Sequence, residues 1–148
     1  MITKIKTKGV VKITLFDKYG VEKSAQVANM VVNSGLAHIA SRMVGVASAS
    51  ISHIGVGTSS TAAAKTQTAL VAQVVRTAAS LAIVTTTVSN DTVEVTATFG
   101  EGVGTGALTE AGLFNASTGG AMISRVVFAT INKLSTDTVS ISWKITVS

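Results

Sequence analysis

The strongest constraint on this chain is a rhythm of two. In "TVEVTATF" (92–99), Val93, Val95, Ala97 and Phe99 alternate with Thr92, Glu94, Thr96 and Thr98. In "VSISWKITV" (139–147), Val139, Ile141, Trp143, Ile145 and Val147 alternate with Ser140, Ser142, Lys144 and Thr146. Successive side chains of an extended strand point to opposite sides, so each segment has one apolar face and one polar face. Strands with one dry and one wet face suit antiparallel sheets. Val, Ile and Thr, stiff at their branched Cβ, supply the strand propensity. The alternation places Trp143 on an apolar face and predicts that it is a structural core residue.

Turn signals separate the strands. "DKYG" (17–20) joins "VVKITLF" to "VEKSAQV" as a hairpin, and "SND" (89–91) joins "LAIVTTTV" to "TVEVTATF" in the same way. "STGG" (117–120) separates "LTEAGLFN" from "AMISRVVFA". "ISHIGV" reads as a further strand. "ALVAQVVR" is open to two readings, a strand or a helix begun by the Ala-rich "TAAAKTQTA". One stretch departs from period two: "NSGLAHIASRMVG" spaces Leu36, Ile39, Ala40 and Met43 as the apolar stripe of a helix over about residues 34–44. Asn33 or Ser34 is placed to cap its start, and Gly45 to end it in a left-handed conformation. With no proline and no linker, the expectation is a single domain over 1–148. Its fold class is mainly β, an antiparallel β-sandwich or jelly-roll-like arrangement with one short helix. Residues 1–12 are expected to be a basic docking arm or an edge strand.

Composition removes several function classes. A chain of 148 residues that is 47% hydrophobic and 13% charged is large and apolar enough to fold around a core. No run approaches the ~18 consecutive apolar residues of a membrane helix, and "MITKIKTKGVV" lacks the apolar core of a secretory signal. The absence of cysteine excludes disulfides, thiolate catalysis and Cys-based metal sites. The net charge is +5, and Lys4, Lys6, Lys8, Lys12, Lys18 and Lys23 supply half of the twelve positive charges. A nucleic-acid surface adds arginines and stacking aromatics to its lysines. Here the arginines are only Arg42, Arg76 and Arg125 and aromatics are 4%, so no nucleic-acid partner is expected. A solvated strand face or an acidic protein neighbour fits this charge better.

The richest chemical signal is "GVGTGALTEAGLFNASTGG" (102–120), whose "GVGT" also occurs at 55–58. A phosphate loop needs a lysine, a Ser or Thr and a helix after its glycines. "ALTEAGLF" supplies none of these, and no parallel βαβ unit surrounds it. Gly104, Gly106 and Gly112 are therefore read as structural, Gly104 and Gly106 supplying unusual backbone angles in a tight loop. Glu110 lies between Leu108 and Leu113, where a carboxylate is expected to be partly buried. Carboxylate catalysis commonly needs a second acid or a base at a set distance, and nothing in the spacing of Glu94 or Glu101 provides one. The structural alternatives are a pair with Arg125 or Arg76 on a neighbouring strand, or acceptance of N–H groups from the glycine loop. His38 and Arg42, four apart on the polar helix face, and His53 in a strand have no metal-ligand spacing, and no nucleophile elbow is present. Both histidines are expected at the surface or an interface. Carbohydrate recognition needs aromatic platforms, for which only Tyr19 and Trp143 are available beyond the phenylalanines. No catalytic, cofactor or metal residue is expected.

Three stretches carry a resemblance: "NMVVNSGLAHIASRM", then "ISHIGVGTSSTAA", then "GTGALTEAGLFNASTGGAMISRVVFATINKLSTDTVSISWKITVS". In order and spacing they resemble a family of small virion structural proteins of tailed bacteriophages, from Asn29 onward. The resemblance implies a β-sandwich assembled in many copies, with the major capsid protein or other virion proteins as partners, self-association, and a place in the virion. It transfers no functional residues. The leading expectation is a non-enzymatic capsid decoration (cement) protein on the capsid exterior, bridging major capsid subunits. Its candidate contacts are Lys4, Lys6 and Lys8, and the loop at 57–68 with Thr58, Ser59, Ser60 and Lys65. The alternatives are a tail-fibre, collar or baseplate component, and a carbohydrate-binding or hydrolytic module centred on Glu110.

Overall fold

A computed structural model describes residues 4–148. Ten strands and one helix follow in order: β1 (Thr7–Asp17), β2 (Gly20–Ala28), β3 (Met30–Val31), α1 (Asn33–Met43), β4 (His53–Gly57), β5 (Gln73–Ala78), β6 (Ser80–Val84), β7 (Thr92–Phe99), β8 (Gly106–Phe114), β9 (Met122–Lys133) and β10 (Thr138–Val147). They form two five-stranded antiparallel sheets, β2-β1-β10-β7-β6 and β3-β9-β8-β4-β5. The sheets pack face to face as a β-sandwich, the expected class. "ALVAQVVR" resolves as strand β5, with no helix before it.

The alternating segments land as their pattern requires. Val95, Ala97 and Phe99 of β7 and Val139, Ile141, Trp143 and Ile145 of β10 face inward with Val11, Ile13 and Leu15 of β1. Ile54, Val56, Ala111, Leu113, Ile123 and Val126 meet them from the other sheet. Trp143 is fully buried. With the Asn29 amide oriented to suit its neighbours, its oxygen accepts from Trp143 Nε1 and its nitrogen donates to the Gly9 carbonyl at 3.0 Å. A buried indole N–H thus keeps a partner. Any side chain at Gly9 would collide with that amide.

Both predicted hairpins form. Asp17 pairs with Gly20, and Gly20 takes a φ of +121°. β6 and β7 are joined through a longer loop in which Asn90 has a positive φ, and the Asp91 carboxylate accepts from the amides of Thr86, Thr87 and Val88.

Three expectations need correction. From Thr7 onward the N-terminal segment is neither arm nor edge: β1 pairs with β10 along its length and with β2 from Val10. Lys6 extends this pairing by exchanging backbone hydrogen bonds with Ser148. Residues 1–3 lie outside the described residues. Second, the helix has the expected extent and Gly45 ends it at φ +69°, but Val32 occupies the cap position. Ser34 Oγ donates instead to the Met122 carbonyl, 2.6 Å away. Third, the helix does not bury its apolar stripe. Leu36 and Met43 are exposed, whereas Gly35 and His38 are buried. A Cβ on Gly35 would stand 2.0 Å from the Ile123 carbonyl oxygen. The helix seats its backbone on β9 at this glycine, and that contact sets which face turns inward.

Candidate functional site

Strand alternation sends every second residue of the second sheet to its outer face. There the positions are Gly55 and Gly57 on β4, Glu110, Gly112 and Phe114 on β8, and Arg125 on β9, and all of them are buried. The register places Gly57 opposite Glu110, Gly55 opposite Gly112, and Gly112 opposite Arg125. What covers them is the segment 58–72 between β4 and β5.

An ion pair ties that segment down. Arg125 donates from Nε and Nη2 to Glu110 Oε2 at 3.0 and 2.8 Å, and both side chains are fully buried. The carboxylate also accepts from the backbone amides of Val71 (3.1 Å) and Ala72 (2.7 Å). Arg125 Nη1 donates to the Thr61 carbonyl (2.9 Å) and to Gln67 Oε1 (3.1 Å). Gln67 Oε1 accepts from the Ala64 amide and Gln67 Nε2 donates to the Ala62 carbonyl, so the glutamine folds the loop around itself. A buried pair is tolerable only when its remaining polar atoms are satisfied, and the loop backbone provides the partners. Of the alternatives open at the sequence level, Glu110 takes Arg125. Its backbone donors come from 71–72, not from the glycine loop near Gly104.

The glycines make room for this cover. A Cβ at Gly57 would lie 2.4 Å from Glu110 Oε1 and 2.5 Å from the Ala72 carbonyl oxygen; one at Gly112 would lie 2.9 Å from both Leu70 and Phe114. In that space Leu70, Val32, Phe114 and Met122 form a second small hydrophobic cluster outside the sheet. The Arg76 guanidinium stands 3.5 Å from the Phe114 ring centroid and donates to the carbonyls of Ala116 and Gly119. Gly104 (φ +67°) and Gly106 (φ +138°) are in conformations that L side chains rarely adopt, as the loop reading requires.

The other sheet's outer face is built oppositely. Lys8 and Lys12 on β1 and Lys144 on β10 project from it among Gln26, Ser140, Ser142 and Thr146. Lys8, Gln26, Thr86, Thr87, Lys144 and Thr146 border a shallow depression of about 360 Å³. Glu94, on the neighbouring strand, reaches Lys144 Nζ at 3.1 Å, and both side chains remain partly exposed. Lys4 and Lys6 are exposed beside the same end of β1. Thr58, Ser60 and Lys65 are exposed, and Ser59 half-buried, on the loop over the opposite sheet. The two groups of candidate contact residues therefore lie on opposite outer layers, and one flat partner surface cannot touch both.

The histidines separate as well. His53 is half-buried, its Nδ1 2.8 Å from Ser52 Oγ. His38 is buried rather than on a surface, its Nδ1 2.9 Å from Ser48 Oγ; the packing of α1 at Gly35 turns it inward. Burial, and secondarily the Arg42 charge, push its pKa below the ordinary histidine value. Among the described residues no three His, Asp or Glu side chains are placed to share a metal ion, and no helix is long and apolar enough to cross a membrane. Glu110 has both oxygens occupied and is sealed from solvent, a poor position from which to move a substrate proton. Buried Trp143 offers no platform for a sugar.

Sequence reasoning missed Gln67, Leu70 and the Arg76–Phe114 stack. The available signal was the glycine at alternate outward positions, "GVG" and "AGL", where an exposed strand would carry Thr or Lys. Comparison with protein-family models, characterised proteins and solved structures returned no match.

Proposed function

We propose that this protein is a non-enzymatic virion structural protein, a capsid decoration (cement) protein that docks on the exterior of a bacteriophage capsid and bridges major capsid subunits. The observation that carries the reading is the outer face of the β2-β1-β10-β7-β6 sheet. Lys8, Lys12 and Lys144 stand on it with the carboxylate of Glu94 among Ser, Thr and Gln side chains. Such a face is complementary to an acidic neighbour, and charges there steer association and register without needing a deep pocket. The resemblance of the segments from Asn29 onward to tailed-phage structural proteins supports the same reading. So does the commitment of the most suggestive acid, Glu110, to holding a loop. Binding of this kind stabilises a shell by mass action, since the partner binds only the assembled state.

In this reading the docking residues are Lys8, Lys12 and Lys144, in place of the loop at 58–72, which lies on the far layer. The test is quantitation of this chain against the major shell subunit in purified particles, followed by rebinding to stripped shells. Copy numbers comparable to the shell subunit are expected, with binding that weakens as salt is raised. Lys8→Glu/Lys12→Glu/Lys144→Glu should fold normally and fail to rebind. A handful of copies per particle, located at the tail, would sink the decoration reading in favour of a tail-fibre, collar or baseplate component.

A further inference from the structure

The two sheets end in four edge strands, and three of them are guarded. β3 is two residues long. β2 carries Lys23, whose Nζ reaches the Thr130 carbonyl, and its pairing with β1 slips near Leu15 and Phe16. β5 carries Arg76, and its pairing with β4 is irregular at Val56 and Gly57. β6, "SLAIV", has no charge, no proline, no glycine and no bulge. It sits within an uncharged run from Thr77 to Asn90. Natural sheets blunt their free edges with charge, irregularity or shortness, because an unguarded edge pairs with another strand.

The side chains of β6 point to the same conclusion. Leu81 lies opposite Val95 and Ile83 opposite Val93. Directly paired residues share a face, so both point toward the sandwich interior, where Val95 is fully buried. Leu81 is nevertheless 49% exposed and Ile83 69%. The opposite sheet ends at β5, which packs over β7, so β6 overhangs it. The overhang borders an apolar groove of about 390 Å³ lined by His38, Arg42, Ile51, Leu81, Ile83 and Val93. The inner face of the sheet is thus unfinished at this edge.

We infer that β6 is a homodimer interface, completed by β6 of a second copy in antiparallel, two-fold pairing. Charge selects the occupant. Two copies of a chain with net charge +5 repel, and a two-fold interface brings the same patch of both copies together. A strip free of charge is where such copies can meet without like charges opposed, and the run from Thr77 to Asn90 is such a strip. Centred on Ala82, the pairing sets Leu81 of each copy against Ile83 of the other. It joins two five-stranded sheets into one continuous sheet and extends the apolar face beside each groove. The pairing involves neither the lysine face nor a particle, so it stands or falls apart from the capsid reading.

The chain has no cysteine, which makes the test clean. Sedimentation of the purified protein should give twice the 15.0 kDa chain mass. Ile83→Lys, which sets two cations across the axis, should sediment as a monomer with an unchanged circular dichroism spectrum. Val21→Lys, on the guarded β2 edge, should remain dimeric. Antiparallel partners stand ~4.5–5.5 Å apart at Cα, within disulfide reach, so Ala82→Cys should oxidise quantitatively to a cross-linked dimer. A wild-type chain that is monomeric at all concentrations overturns the proposal. So does an Ile83→Lys chain that sediments like the wild type, or an Ala82→Cys chain that stays uncross-linked while dimeric.

Discussion

The two sheets of this sandwich have similar inner faces and opposite outer ones. On the β2-β1-β10-β7-β6 sheet, outward positions such as Lys12, Ser142 and Lys144 stay in water or at its margin. On the β3-β9-β8-β4-β5 sheet, outward positions such as Gly57, Glu110, Gly112 and Arg125 are buried under the segment 58–72. The same period of two produces both faces. What differs is the residue at the outward position: a side chain long enough to live in solvent, or a glycine that lets a loop descend and a charged pair that holds it there. A polar outward residue is therefore no guarantee of a surface residue. Its meaning depends on whether its strand neighbours leave room for a cover.

Four experiments would break or sharpen that contrast. The largest effect belongs to Arg125→Met, which leaves Glu110 buried without its cation. A loss of about 3–5 kcal/mol is expected in urea unfolding. Glu110→Gln/Arg125→Met, with neither charge, should recover a large part of it. If the single variant unfolds like the wild type, the pair does not hold the loop and the contrast between the faces fails.

Gly57→Ala comes next, since its Cβ would overlap the Glu110 carboxylate and the Ala72 carbonyl. Overpacking at such a contact costs about 1–3 kcal/mol. Limited proteolysis within 58–72 should accelerate while the strands stay protected, which distinguishes a lifted loop from global unfolding.

Asp91 tests the first sheet through pH. Amides of Val88, Thr86 and Thr87, with the Thr92 hydroxyl, hold its carboxyl well below the ordinary carboxylate range. A folded-state pKa below the unfolded one means that the stabilisation is present in full above the unfolded value, about 4, and drains away as pH falls below it. Asp91→Asn should lower the melting temperature at neutral pH and flatten its decline under acid. A wild-type melting curve independent of pH below that value would contradict this.

The smallest effect is expected for Lys144→Ala. Its pair with Glu94 is partly exposed, with 49% and 28% of the side-chain surfaces accessible, and solvent-screened pairs contribute about 0–1 kcal/mol. A melting temperature within error of the wild type is the expected result. A loss as large as that of Gly57→Ala would mean that the lysine face is structural.

Much of the architecture was legible in the residues themselves. The alternation in 92–99 and 139–147 located two central strands and Trp143, and "DKYG" and "SND" located two hairpins. Glu110 with Arg125 stood among the pairings open at the sequence level, because both lie on alternating segments. The helix was placed correctly and oriented wrongly. Its apolar stripe through Leu36 and Met43 is a local pattern, whereas the buried face was decided by Gly35 meeting the Ile123 backbone 88 positions later. His38 was misplaced for the same reason. The Ala-rich run before β5 carried helix propensity, but its ends are held in a loop. Arg125 takes the Thr61 carbonyl, and the Glu110 carboxylate takes the Val71 and Ala72 amides just beyond the run.

Periodicity, turn residues and the absence of cysteine and proline thus determined the class of this protein: antiparallel strands packed as a sandwich, folded without cross-links. These are local properties, set by where successive Cβ atoms point and which backbone angles glycine permits. Only the tertiary structure decided which outward residues are covered, which helix face turns in, which histidine is buried and which edge is left unguarded. Each depends on what another part of the chain places above a residue, and no spacing along the sequence contains that distance.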